Sequence, residues 1–333
     1  MNRNIGKALT FAALAATLVI AACGGGGGST PSPTPTPTPT PTPNGALQTS
    51  IPAPTYAVGS AELTAFNIVN AHRDKCGFGL VAQSSQLDAA ASGHANYMRL
   101  RLNEGTVPGH DEDPAKSGFT AVTGSERAQR AGFSGPSIGE YISFGGLEAG
   151  PVAGEELVRN MLASVYHTAG MLDGSRVVGV AVSYADAKSP LPFSALAWQP
   201  GLANGTAAQA PTDVVTFPCE GTTGVRPAML GEDPDPFTKI GLQAGPNIGQ
   251  PVYVRAPSST AIKLSSASIR EVGGSAVTVV LYHSTDDPRG SLASNQAFVI
   301  PTQPLKAATS YDVSLTGTLG TQPWSRAFRF STK

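Results

Sequence analysis

The chain has 333 residues, a formal net charge of −1, and a charged fraction of 14%. So neutral a chain, with no basic run, excludes an electrostatic nucleic-acid footprint. Its length leaves room for two ordinary domains behind a leader and a linker.

The first seven residues carry Arg3 and Lys7, an apolar run begins at Ala8, and Ile20-Ala21-Ala22-Cys23 closes it. A basic start, a short apolar stretch and small residues before a cut site describe a secretory signal. The stretch is shorter than the ~20 apolar residues of a membrane-spanning helix. Small residues leading directly into Cys23 resemble the lipobox of bacterial lipoproteins. That resemblance implies a signal peptide over residues 1–22, cleavage before Cys23 and diacylglycerol on its thiol. The acyl chains would anchor the mature protein to a lipid bilayer, each buried CH2 contributing ~0.8 kcal/mol. Gly24, rather than Asp, after the cysteine favours outer-membrane sorting in a Gram-negative cell. The expected address is therefore the bacterial cell envelope, at the outer membrane, facing the periplasm or the surface.

Residues 23–55 read as a stalk. Gly24–Gly28 is flexible, and the Pro-Thr alternation from Pro31 to Pro43 favours extended polyproline II at ~3.1 Å per residue. Its Thr content also suits O-glycosylation.

Residues 56–202 read as a first, mixed domain. Leu63, Phe66, Ile68 and Val69 stripe one helix. Leu87, Ala90, Ala91, His94, Tyr97 and Met98 stripe a second. A third is expected from Val152 to Tyr166, ended by His167. Val177–Tyr184 reads as a buried strand, and Phe193–Trp198 as another. Residues 201–211, rich in Gly, Ala and Pro, read as a linker. With Cys23 assigned to lipid, Cys76 and Cys219 remain. An even pair in an oxidising compartment reads as a disulfide. Residues 212–333 read as an all-β sandwich, from short alternating runs at 251–254, 276–282, 296–300, 310–315 and 327–330 separated by turn residues.

Seven pieces of the first domain follow one order. They are Asn70-Ala71-His72-Arg73, His94-Ala95-Asn96-Tyr97-Met98, Gly109-His110, Arg127 to Phe133, Gly139-Glu140-Tyr141-Ile142, Ser164-Val165-Tyr166-His167 and Gly179 to Val182. That order resembles the CAP superfamily, also called SCP-like or allergen V5/Tpx-1-related, over about residues 60–200. The resemblance implies an α/β fold, a CAP-type α/β/α sandwich, with a cleft that joins two His and one or two acidic groups. By motif these are His110, Glu140 and His167, with Glu126 as a fourth candidate. Departures from the family at Tyr141, Met161, Val165-Tyr166 and Thr168 bear on the ligand more than on the fold.

Two imidazoles and a carboxylate are the ligand types of an open zinc site and also an acid/base set near neutral pH. No His-Glu-x-x-His helix is present. Ser164 is expected to bond locally, and His94 to be a packed core histidine. The runs 111–113 and 232–235 read as solvated acidic loops. In the C-terminal part, Ile300 to Val313 and Phe328 to Thr332 resemble the Ig-like modules of bacterial surface proteins.

The first functional reading is a tethered CAP-domain lipoprotein that is not an enzyme. Its cleft would hold a lipid, peptide or glycan with no required cofactor, Zn2+ or another divalent metal being optional. The second is a metal-dependent hydrolase using the His/Glu cleft. The third is a structural or adhesive envelope protein with a vestigial cleft.

Overall fold

The computed structural model describes residues 45–333, so the signal segment, Cys23 and the Pro-Thr repeat lie outside the described residues. Helix α1 (Ala61–Cys76) starts where Ser60 Oγ accepts the Leu63 N–H and stops at Gly77, whose φ of 80° suits glycine. Strand β1 (Ala82–Gln83) leads into α2 (Ser85–Asn103), capped by Ser84. Helix α3 (Gly124–Arg130) opens on a capping box of Thr123 and Glu126. Then come β2 (Ser137–Ile138), β3 (Tyr141–Gly145), α4 (Pro151–Met161), α5 (Tyr166–Met171), β4 (Val177–Tyr184) and β5 (Ser194–Leu202).

Strand β4 lies between β1 and β5, and β5 also pairs with β2 and β3. Alternation along β4 and β5 sends successive side chains to opposite faces. Val178, Val180, Leu196 and Trp198 pack with Phe66 and Val69 of α1 and with Leu157 and Met161 of α4. Ala181, Ala195 and Ala197 pack with Ala91, Ala95, Met98 and Leu102 of α2. This is the expected α/β/α sandwich. Gly179 is required where α2 crosses, since a Cβ there would lie 2.0 Å from the Leu87 carbonyl carbon. The outer edge of β4 is closed by side chains. Asp88 accepts the Val180 N–H and Glu62 the Val182 N–H, both at 3.0 Å.

The rest of the chain is all β: β6 (Val215–Phe217), β7 (Thr222–Val225), β8 (Val252–Arg255), β9 (Ile262–Glu271), β10 (Ala276–Val277), β11 (Val279–His283), β12 (Gln296–Pro301), β13 (Ser310–Leu319) and β14 (Gln322–Thr332). One sheet runs β10-β9-β13-β14-β7 and the other β11-β12-β8-β6. Strand β9 escapes the alternation rule for a physical reason. Its register with β13 shifts so that Ser265 has no partner between Leu264 and Ser266. An extra residue of this kind breaks the period of two.

The two sandwiches share one hydrophobic core. Phe78 stacks on Tyr253 with ring centroids 5.9 Å apart. Arg255 donates to the carbonyls of Leu172 and Gln209 at 3.1 and 3.0 Å. Cys76 and Cys219 form the expected disulfide, tying the end of α1 to the residue that follows Pro218 after β6. The junction read as a linker is bound down. Gln209 is fully buried and donates to the Leu80 and Ser175 carbonyls. The last part of the stretch read as stalk is bound as well. Gln48 donates to the Leu80 and Arg176 carbonyls, and Arg176 donates to Ala46 O. Composition marked the two stretches by their Gly, Ala, Pro and Thr content, and glutamine and arginine side chains hold them in place.

Candidate ligand cleft

Two histidine–carboxylate pairs stand on one cleft. The first is built on α3. Arg127 Nη2 donates to both oxygens of Glu140 at 2.7 and 2.6 Å and to the His110 carbonyl at 2.8 Å. Glu140, which immediately precedes β3, is thereby fixed behind His110, whose Nδ1 lies 3.1 Å from Glu140 Oε1. The Glu140 side chain is 6% exposed and that of His110 48%.

Behind this pair lies a second layer. His94 of α2 is fully buried, with Nδ1 3.0 Å from Glu112 Oε1 and Nε2 3.7 Å from Glu140 Oε1. Glu112 also accepts the Thr120 N–H at 2.6 Å, and Arg127 lies 3.5 Å from it. Burial alone would raise the Glu140 carboxyl. The His110 hydrogen bond and the charges of His94 and Arg127 outweigh it and hold Glu140 below the ordinary carboxylate range. Burial opposes ionisation of Glu112 too. There the His94 bond, the Thr120 N–H and Arg127 prevail, again lowering the value.

The second pair joins the two halves of the described chain. The sequence reading ends a helix at His167. Instead α4 ends at Met161, and His167 sits in the first turn of α5. The cause is Glu232, from the segment between β7 and β8. Its carboxylate accepts the N–H groups of Val165, Tyr166 and His167 at 2.8, 2.8 and 3.0 Å. It also accepts from Ser164 Oγ at 3.0 Å and faces His167 Nδ1 at 2.7 Å. Negative charge at a helix start also meets the positive end of the peptide dipoles.

The cleft between these pairs has a volume of about 570 Å³. His110, Asn160, Ser164, His167, Glu232 and Asp233 give it polar lining, and Val107, Ile142, Phe144, Met161 and Leu230 an apolar wall. Val107 and Leu230 are 60% and 48% exposed at its rim.

Of the four residues proposed from sequence, His110 and His167 reach the cleft. Glu140 lies behind His110, committed to Arg127. Glu126 is committed to the capping box, its carboxylate accepting the Thr123 N–H at 3.0 Å. Glu112 and Glu232, read as members of solvated acidic runs, have side chains that are fully buried. Each sits among Asp and Pro, and no local signal separates it from its exposed neighbours.

Ser164 does not form a nucleophile pair. It meets His167 at Nδ1, the nitrogen already facing Glu232, and donates to the Met161 carbonyl or to Glu232. A serine activated by histidine needs the nitrogen opposite the carboxylate. A resident metal fits poorly as well. Carboxylate-backed imidazoles suit metal ligation, but Glu140 and Glu126 are spent elsewhere. Among the described residues no group of three or more His, Cys, Asp or Glu is placed to hold an ion.

A helix–sheet–helix sandwich with a histidine–carboxylate cleft on one side defines the class of this first half. The family model of CAP, the cysteine-rich secretory protein family, matches residues 66–194, and that segment is a CAP domain. No curated protein matches the chain.

Proposed function

We propose that this is a binding module of the bacterial cell envelope, tethered through Cys23, whose CAP cleft takes an amphipathic ligand. Lipid, peptide and glycan are the classes considered. The observation that carries the reading is the cleft itself, where an apolar wall faces two imidazoles, each backed by a buried carboxylate. Concave sites that are mostly apolar, with a few fixed polar groups, are the usual form of small-ligand sites.

An Ig-like assignment for the C-terminal half draws support from two features. Its sheets are ordered β6-β8-β12-β11 and β10-β9-β13-β14-β7, an order compatible with Greek-key sandwiches. Near the start of β13, Tyr311 Oη accepts the Lys306 N–H at 2.7 Å, the bond of a tyrosine corner.

The hydrolase reading keeps one supporting observation, the orientation of His110 by Glu140, which suits a general base. Displacement of an environment-sensitive apolar dye by a ligand panel, run beside ester and peptide turnover assays, separates the two. Displacement without turnover, weakened by H110A/H167A, is the expected result. Turnover abolished by H110A would replace the binding reading with the hydrolase.

A further inference from the structure

The donor–acceptor balance of the cleft points to one kind of head group. Resting on the binding reading above, we propose that the cleft selects a ligand with a primary ammonium head on an apolar body and discriminates against carboxylates.

The argument starts from the two imidazoles. Nδ1 of His110 and of His167 each face a carboxylate oxygen, at 3.1 and 2.7 Å. An ionised carboxylate only accepts, so each Nδ1 carries the hydrogen. In its neutral form the ring offers the cleft its other nitrogen, Nε2, as an acceptor. Asp233, exposed at the rim, adds a negative charge. No Lys or Arg lines the cleft, and the nearby Arg127 is bound to Glu140.

A carboxylate entering this cleft would meet acceptors and a like charge, with no cation to pair it. An ammonium carries three donors and no acceptor. It would pair with the Nε2 atoms and with Asp233 through charge-assisted bonds, which are the stronger kind. Its apolar body would lie along Phe144 and Leu230.

The test uses the full chain carrying C23S, so that no detergent competes. Octylamine, octanoate, octanol and octyl glucoside are titrated calorimetrically at pH 8, each below its micelle concentration. At that pH a free imidazole is neutral and an alkyl ammonium, like Lys, is charged. Octylamine should bind about tenfold or more tighter than octanol, the scale of one hydrogen bond to a charged group, and octanoate weaker than octanol. D233N should weaken octylamine about threefold, the scale of an exposed ion pair. D312N, on the β13 surface, should not change it. Octanol bound as well as octylamine would overturn the head-group selection and leave the binding reading standing. So would octanoate or octyl glucoside binding as tightly as the amine. Binding of none of the four would overturn both.

Discussion

Glu232 holds His167 by its Nδ1 at 2.7 Å across a separation of 65 residues, reaching from the β-sandwich half into the CAP domain. The same carboxylate ends the N–H groups of Val165, Tyr166 and His167. Replacing it by Ala leaves several partly buried donors without an acceptor. E232A should therefore cost about 3 kcal/mol. The shift in urea midpoint at constant slope measures it, and a loss below about 1 kcal/mol would count against this role.

The Arg127 guanidinium is shared by Glu112 and Glu140. Its removal strands two carboxylates with side chains at most 6% exposed. R127A should destabilise the fold by about 3–5 kcal/mol, the scale for breaking a buried pair. E140Q should cost less, because the amide oxygen still accepts from Arg127. Unfolding curves of the two variants compared with wild type decide the order.

Acid should weaken the protein through the same network. Glu112 and Glu140 both titrate below the ordinary carboxylate value of 4.5 when folded. The unfolded chain thus takes up protons first as pH falls. The stabilisation is fully present above pH ~4.5 and is lost progressively below it. Stability measured from pH 6 to pH 3 should fall with a slope that E112Q makes shallower. An unchanged slope in E112Q would remove Glu112 from the account.

The disulfide closes a sequence separation of 143 residues. On the chain-entropy estimate, C76S/C219S should lose about 4–5 kcal/mol. Partial-digest mapping without reductant should recover the Cys76 and Cys219 peptides as one species. Two alkylated native thiols would contradict the bond.

Asp88 and Glu62 occupy the Val180 and Val182 N–H groups along the edge of β4. Side chains that close an edge oppose strand-to-strand association. E62A/D88A should self-associate with rising concentration, read by light scattering on a sizing column. A monodisperse double variant would show that the edge is guarded in some other way.

The α/β/α frame was readable because long stripes such as Leu87, Ala90, Ala91, His94 and Met98 repeat at the helical period and all become buried. His110 and His167 were readable through their motifs. Glu112 and Glu232 were not, because burial of a lone carboxylate depends on donors far away in sequence. Glu112 needs His94, Thr120 and Arg127, and Glu232 needs the opening turn of α5. The break between α4 and α5 has the same origin, since no residue from Met161 to His167 is proline and the cause is a carboxylate from elsewhere.

The seam between the halves also limits how this protein can be rearranged. A recombination event that lifted residues 66–194 into another architecture would carry Cys76 without Cys219, and the α5 start without Glu232. Such a transplant would arrive with an odd thiol and an untethered imidazole. The CAP segment here is therefore poor material for domain shuffling, and substitutions at His167 and Glu232 are expected to be inherited as a pair.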